Sequence, residues 1–165
     1  METDVMAGTI IRPKSVYLCS GFGQGLSKLE ALDNALLEAG IGDLSLITVT
    51  SILPPKFKVV QEMPANIRGC TVPCIISKAF GVKGDTISAA MVIARTYRED
   101  GSEDIGLVAE AHALGPENVA IEMAKEEIRR MAQRRGLRLK IVKIASASGI
   151  VEEVYGCAVA CAVML

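Results

Sequence analysis

The side chains from which enzymes usually assemble their chemistry are thinly spread in this chain. Cys70 and Cys74 stand four apart, as do Cys157 and Cys161, a spacing that two metal-binding pairs could use. Both pairs lie in apolar stretches, and the single histidine, His112, is elsewhere. Residues four apart on a strand share a face, so each pair reads as two small buried side chains rather than as ligands. Five cysteines are an odd number, which suits free thiols in a reducing compartment better than a disulfide framework. Gly21-Phe22-Gly23-Gln24-Gly25 resembles a phosphate loop, but it lacks the G-x-G-x-x-G spacing and no Gly-Lys-Ser/Thr follows. It reads as a flexible turn. No His-x-x-x-His, Ser-His-Asp set or Cys-His pair stands out around the single His112. An enzyme made from these residues is short of an electrophile and of a strong base.

The elements that must position any chemistry are well marked. After a first stretch of about fifteen residues ending near Pro13, Ser15 to Ser20 reads as a strand that Gly21-Gly25 stops. Ser27 and Glu30 have capping-box spacing. The helix they open carries Leu29, Leu32, Leu36 and Leu37 as its apolar stripe, and Gly40 is placed for a left-handed stop. Leu44 to Thr50 is rich in strand formers, and Pro54-Pro55 breaks regular structure soon after. Gly69 to Ala79, Thr86 to Tyr97 and Ile105 to His112 read as strands. Gly115-Pro116 opens a second helix that runs to about Arg135, with Gly136 closing it and Val119, Met123, Ile128 and Met131 as its buried residues. Arg129-Arg130 and Arg134-Arg135 suit the C-terminal end of that helix dipole and a solvated face. Strands over Leu137 to Ala145 and Glu153 to Met164 complete an α+β layered sandwich of one domain.

Composition narrows the function. The chain has 165 residues, enough for a real core without disulfides. Half of them are hydrophobic, yet only 4% are aromatic and none is Trp, a poor basis for stacking on nucleic-acid bases. A formal net charge of −1 offers no basic face for phosphate backbones. Apolar runs are short, and Met1-Glu2-Thr3-Asp4 is the wrong chemistry for a signal peptide. The expectation is a soluble cytoplasmic protein with no nucleic-acid or membrane partner.

One region is more specific. The stretch from Ala39 to Pro55, containing Gly40-Ile41-Gly42-Asp43-Leu44-Ser45 and Thr48-Val49-Thr50-Ser51-Ile52-Leu53-Pro54-Pro55, follows Asp33-Asn34-Ala35-Leu36-Leu37. It resembles the self-cleavage region of the pyruvoyl-dependent arginine decarboxylases. Gly84-Asp85-Thr86-Ile87-Ser88-Ala89-Ala90, Gly106-Leu107-Val108-Ala109-Glu110 and Tyr155-Gly156-Cys157-Ala158 extend the resemblance over most of the chain, in order.

The resemblance implies a four-layer αββα sandwich and a homotrimer of cleaved protomers. It implies that Ser51 attacks the Thr50 carbonyl, that the resulting ester eliminates, and that residue 51 becomes a covalent pyruvoyl group. The products would be a β chain of residues 1–50 and an α chain of residues 51–165. That carbonyl would form a Schiff base with L-arginine and release agmatine and CO2, without pyridoxal phosphate or metal. Glu110 matches the family's catalytic carboxyl, a group that burial at the end of an apolar strand would help to keep protonated. Asp33 matches the carboxylate that pairs with the far end of the substrate, where bidentate hydrogen bonds suit a guanidinium. Leu36, Gly42 and Leu44 would line the same pocket. Two positions depart from the family pattern: Ser45 stands where Asn commonly serves as the donor that aids processing, and Thr50 where Ser usually precedes the cleaved bond. Because a hydroxyl is a shorter and less directional donor than a carboxamide, an uncleaved or inactive paralogue acting as a binding or regulatory subunit stays open. A decarboxylase of another amino acid on the same scaffold is the second alternative.

Overall fold

Period-two alternation, read twice over, builds the molecule in layers. In the computed structural model, which describes residues 12–165, the strands are β1 (Ser15–Gly25), β2 (Ser45–Thr48), β3 (Ile52–Leu53), β4 (Lys58–Val60), β5 (Thr71–Val82), β6 (Thr86–Tyr97), β7 (Gly106–Leu114), β8 (Arg138–Ile150) and β9 (Tyr155–Met164). The helices are α1 (Lys28–Glu38) and α2 (Glu117–Arg134). A five-stranded sheet has the order β2-β5-β9-β1-β4 and a four-stranded sheet the order β3-β7-β6-β8. On β9, Ala158, Ala160 and Ala162 face the core between the sheets, while Cys157, Val159, Cys161 and Val163 face α1. On β6, Ile87, Ala89, Met91 and Ile93 face that central core, and Ala90, Val92 and Ala94 face α2. Both faces of each central strand are therefore buried, and the layers run α1, five-stranded sheet, four-stranded sheet, α2. This is the expected α+β sandwich. The first part of the N-terminal stretch, residues 1–11, lies outside the described residues.

Small residues set the helix contacts, which overturns part of the sequence reading. The buried residues of α1 are Ala31 and Ala35, while Leu29 is 77% and Leu37 is 51% exposed; Leu32 and Leu36 pack at the margin. The cause lies beneath the helix. A Cβ on Gly23 would stand 2.2 Å from the Ala35 backbone nitrogen, and one on Gly21 would stand 2.2 Å from the Ala35 carbonyl oxygen. The Gly-rich stretch is thus no turn: it continues β1 to Gly25 and lets α1 lie directly on the sheet. The same logic governs α2, which buries Ala120, Ala124, Ile128 and Ala132. Of the residues expected in its core, Ile128 is buried and Met131 packs at its edge, but Val119 and Met123 face outward. Gly23→Ala is expected to lift α1 from the sheet, because helix backbone cannot yield as a side chain can. The expected loss is about 3 kcal/mol, read as a lower urea midpoint at unchanged slope.

The caps hold with small changes. The Ser27 hydroxyl accepts from the Glu30 amide at 3.1 Å, but the Glu30 carboxylate accepts from the Leu26 amide at 2.7 Å, one residue before the position a capping box requires. Gly40 and Gly136 have φ of 78° and 64°, and each ends its helix in the left-handed region. Of the arginines near the end of α2, Arg129 and Arg130 pair with Glu126 and Glu127 on the surface.

Residues 45–60 stitch the two sheets together, and the sequence showed only their first part. Strand β2 runs parallel to β5 at one edge of the five-stranded sheet. The chain then crosses to the other sheet, where Ile52 pairs with Leu107 and Leu53 with Gly106. It returns as β4, parallel to β1 at the far edge of the first sheet. The strands β3 and β4 are too short to show periodicity. Leu53 and Phe57, 1% and 2% exposed, anchor them instead.

Candidate active site

Ser51 sits where the chain crosses between the sheets, and its backbone is tied to both. On one side the Val49 amide donates to the Cys74 carbonyl at 3.2 Å; on the other the Val108 amide donates to the Ser51 carbonyl at 3.0 Å. Between these ties the Ile52 amide donates to the Thr50 carbonyl at 3.0 Å. That bond spans two residues and closes a γ-turn centred on Ser51. The crossing is therefore a fixed bend. The Ser51 hydroxyl donates to Glu110 Oε2 at 3.1 Å, so the two residues expected to do the chemistry are in contact although 59 positions apart.

Glu110 lies on β7 opposite Met91 of β6 and points to the same side as Val108, toward the opening between the sheets. It is exposed within one chain, so the burial expected at the end of its apolar strand is absent. The reason is the short partner strand: β3 pairs with only Leu107 and Gly106, and beyond them the outer edge of β7 has no neighbouring strand among the described residues.

A second cluster holds the segment just after Ser51. Arg95 donates to Glu103 at 2.6 Å and to the Phe57 carbonyl at 2.7 Å, and its guanidinium lies 4.6 Å from the centre of the Phe57 ring. Glu103 also accepts from the amide of Lys56 at 2.9 Å, a residue with φ of 62°. Partial burial pushes the Glu103 carboxyl up, but the Lys56 amide and the Arg95 guanidinium outweigh it and hold it below its usual value. The turn after Pro54-Pro55 is thereby pinned to the four-stranded sheet.

The remaining expected site residues lie elsewhere in the chain. Asp33 is exposed on the outer face of α1, on the side away from Ala31 and Ala35 and between the exposed Leu29 and Leu37. Leu36 packs partly into the layer beneath α1. Gly42 and Leu44 line a cleft of about 280 Å³ with Leu37, Met63 and Arg68, whose rim carries an Arg68–Asp43 ion pair at 3.0 Å. Ser45 begins β2; its amide donates to the Cys70 carbonyl at 2.9 Å and its side chain is exposed. One chain thus joins Ser51 to Glu110 but brings neither Asp33 nor the Gly42–Leu44 cleft to them.

The cysteines are packing groups, with one correction. Cys19, Cys74, Cys157 and Cys161 are buried between α1 and the five-stranded sheet, but Cys70 precedes β5 and is exposed. Burial pushes the Cys157 thiol up to about 12. Hydrogen bonds with Cys19 and Cys74, together with burial, raise Cys161 as well. Thiols held in the protonated form are poor nucleophiles.

Sequence reasoning missed the γ-turn and the Arg95–Glu103–Phe57 cluster. The turn rests on backbone atoms that no residue type advertises. The cluster joins residues from three separate segments.

Residues 15–165 match the family model described as pyruvoyl-dependent arginine decarboxylase. The chain is 40% identical over 153 residues to the pyruvoyl-dependent arginine decarboxylase of Methanothermobacter thermautotrophicus, covering 91% of this chain and 95% of that one. The proteins of the same description from Pyrococcus furiosus and Methanopyrus kandleri are each 34% identical, covering 93% and 92% of this chain and 96% of each relative. The chain belongs to the pyruvoyl-dependent arginine decarboxylase family.

Proposed function

We propose that this chain cleaves itself between Thr50 and Ser51, converts residue 51 to a pyruvoyl group, and decarboxylates L-arginine to agmatine and CO2. The observation that carries the reading is the 3.1 Å contact between the Ser51 hydroxyl and Glu110, at a bond held in a fixed bend. Glu110 takes the hydroxyl proton as Oγ bonds to the Thr50 carbonyl carbon. The Thr50–Ser51 C–N bond then breaks, and the nitrogen receives a proton to give an ester. Loss of the Ser51 α-proton breaks the Oγ–Cβ bond and frees the Thr50 carboxylate. One water then releases ammonia from residue 51. The products are residues 1–50 and residues 51–165 of a single domain. The new carbonyl supplies the electrophile and electron sink that the ordinary side chains lack, so neither pyridoxal phosphate nor a metal enters the reading.

Glu110 keeps its place after cleavage as the proton donor to the substrate α-carbon, and Asp33 receives the guanidinium, with Leu36, Gly42 and Leu44 around it. Because Asp33 and Ser51 lie apart in one chain, neighbouring copies complete each site, in a homotrimer. Two features support this assembly: the open edge of β7 beside Glu110, and the exposed Leu29 and Leu37 that flank Asp33. Ser45, exposed on the edge strand β2, keeps in this reading the role of an accessory hydroxyl donor in processing. A cytoplasmic location accords with five free thiols. No helix among the described residues is long and apolar enough to cross a membrane.

Purified protein incubated with L-arginine is expected to form agmatine and CO2 in equal amounts. Absence of product from a fully cleaved sample sinks the arginine assignment, and a panel of other amino acids then identifies the substrate. Asp33→Asn is expected to raise KM for arginine about 10- to 100-fold, the worth of a charged hydrogen bond, with self-cleavage unchanged.

A further inference from the structure

We propose that the backbone N–H of Ile52 is the donor that stabilises the negative charge developing on the Thr50 carbonyl oxygen during self-cleavage. The inference rests on the self-processing reading above and adds the group that makes attack by Ser51 feasible. When Ser51 Oγ bonds to the Thr50 carbonyl carbon and Glu110 takes its proton, the carbonyl π pair moves onto the Thr50 oxygen. That oxygen already accepts from the Ile52 amide at 3.0 Å. A bond to a neutral carbonyl across a γ-turn is bent and weak, but charge on the acceptor strengthens it. The donor therefore gains most in the transition state, as a catalytic donor must.

Three features make the arrangement a built one. In the Ile52–Leu107 pair the bond to β7 is made by the flanking Ser51 carbonyl, so the Ile52 N–H faces away from β7 and bonds back to Thr50. The Val108 amide, bonded to the Ser51 carbonyl at 3.0 Å, fixes the peptide that carries this N–H. The next residue, Leu53, is 1% exposed and locks the strand from the other side, so the donor needs no movement to act. This also accounts for how the chain manages with Ser45. Among the described residues no side-chain hydrogen bond joins Ser45 to Thr50 or Ser51, whereas the Ile52 donor is in place whatever side chain stands at position 45.

The test deletes one N–H. Ile52 is replaced through semisynthesis by its α-hydroxy acid counterpart, and cleavage after Thr50 is followed by intact mass. A hydroxy acid at Leu53 serves as the control, since it removes the adjacent N–H without touching the Thr50 oxygen. Ile52→Pro, which keeps the Ser51 carbonyl an amide acceptor, is the genetically encoded counterpart. Both Ile52 variants are expected to cleave about 100-fold more slowly or worse, with native circular dichroism, while the Leu53 control cleaves near the parent rate. Cleavage of both Ile52 variants at the parent rate overturns the inference and leaves the self-processing reading standing. Equal slowing in the Leu53 control also overturns it, because the cause is then a loosened strand. A parent chain that never cleaves after Thr50 overturns both.

Discussion

Ser51→Ala is expected to leave the chain in one piece and without decarboxylase activity while its fold is unchanged. The effect is total because this one oxygen has two uses: it is the nucleophile that attacks Thr50, and its departure from Cβ is what opens the route to the pyruvoyl carbonyl. No other hydroxyl contacts Glu110 among the described hydrogen bonds. The structural cost is small, since Ser51 is half-buried at an edge and its backbone bond to Val108 does not involve the side chain. Loss of one exposed-edge hydrogen bond is worth about 1 kcal/mol, too little to unfold the domain. Urea unfolding and circular dichroism check the fold, and gel analysis checks the chain. A cleaved and active Ser51→Ala protein would contradict the pyruvoyl mechanism outright.

Glu110→Gln comes second in expected size. The carboxamide keeps the shape and can still accept from the Ser51 hydroxyl, but it cannot take up the proton. General-base catalysis contributes about 10²- to 10⁴-fold, so cleavage is expected to slow by that factor, as measured by the growth of the two fragments. The fraction that does cleave is expected to decarboxylate arginine slowly too, because the same group returns a proton to the substrate. This double loss separates Glu110 from Asp33, whose replacement affects substrate binding and leaves processing alone. A Glu110→Gln chain that matures at the normal rate assigns the base elsewhere.

What could be read from the sequence, and what could not, divides by the range of the interactions. The long strands were legible because an apolar run bounded by turn residues is a local signal; Thr86 to Tyr97 coincides with β6. Ser51, Glu110 and Asp33 could be named because the stretches around them resemble a known family. Their geometry could not. Whether Glu110 is buried depends on how far β3 extends along β7, and β3 is only two residues long. The helix cores were misread for a packing reason. Leucines at helical spacing normally mark the buried face, but Gly21 and Gly23 bring α1 so close to the sheet that only Ala31 and Ala35 fit beneath it. That displaces Leu29 and Leu37 to the outer face, beside Asp33. Beneath α2 it is alanines, Ala90, Ala94 and Ala109, that meet Ala120, Ala124 and Ala132, and Val119 and Met123 face outward.

Ser51 is consumed to make a carbonyl, and the mass of the purified protein tests this most directly. Two fragments are expected, residues 1–50 ending in a Thr50 carboxylate and residues 51–165 beginning with a ketone. The larger should be refractory to N-terminal sequencing and should shift in mass on treatment with a hydrazine. A single unbroken chain, or a larger fragment that begins with an ordinary serine amine, contradicts it.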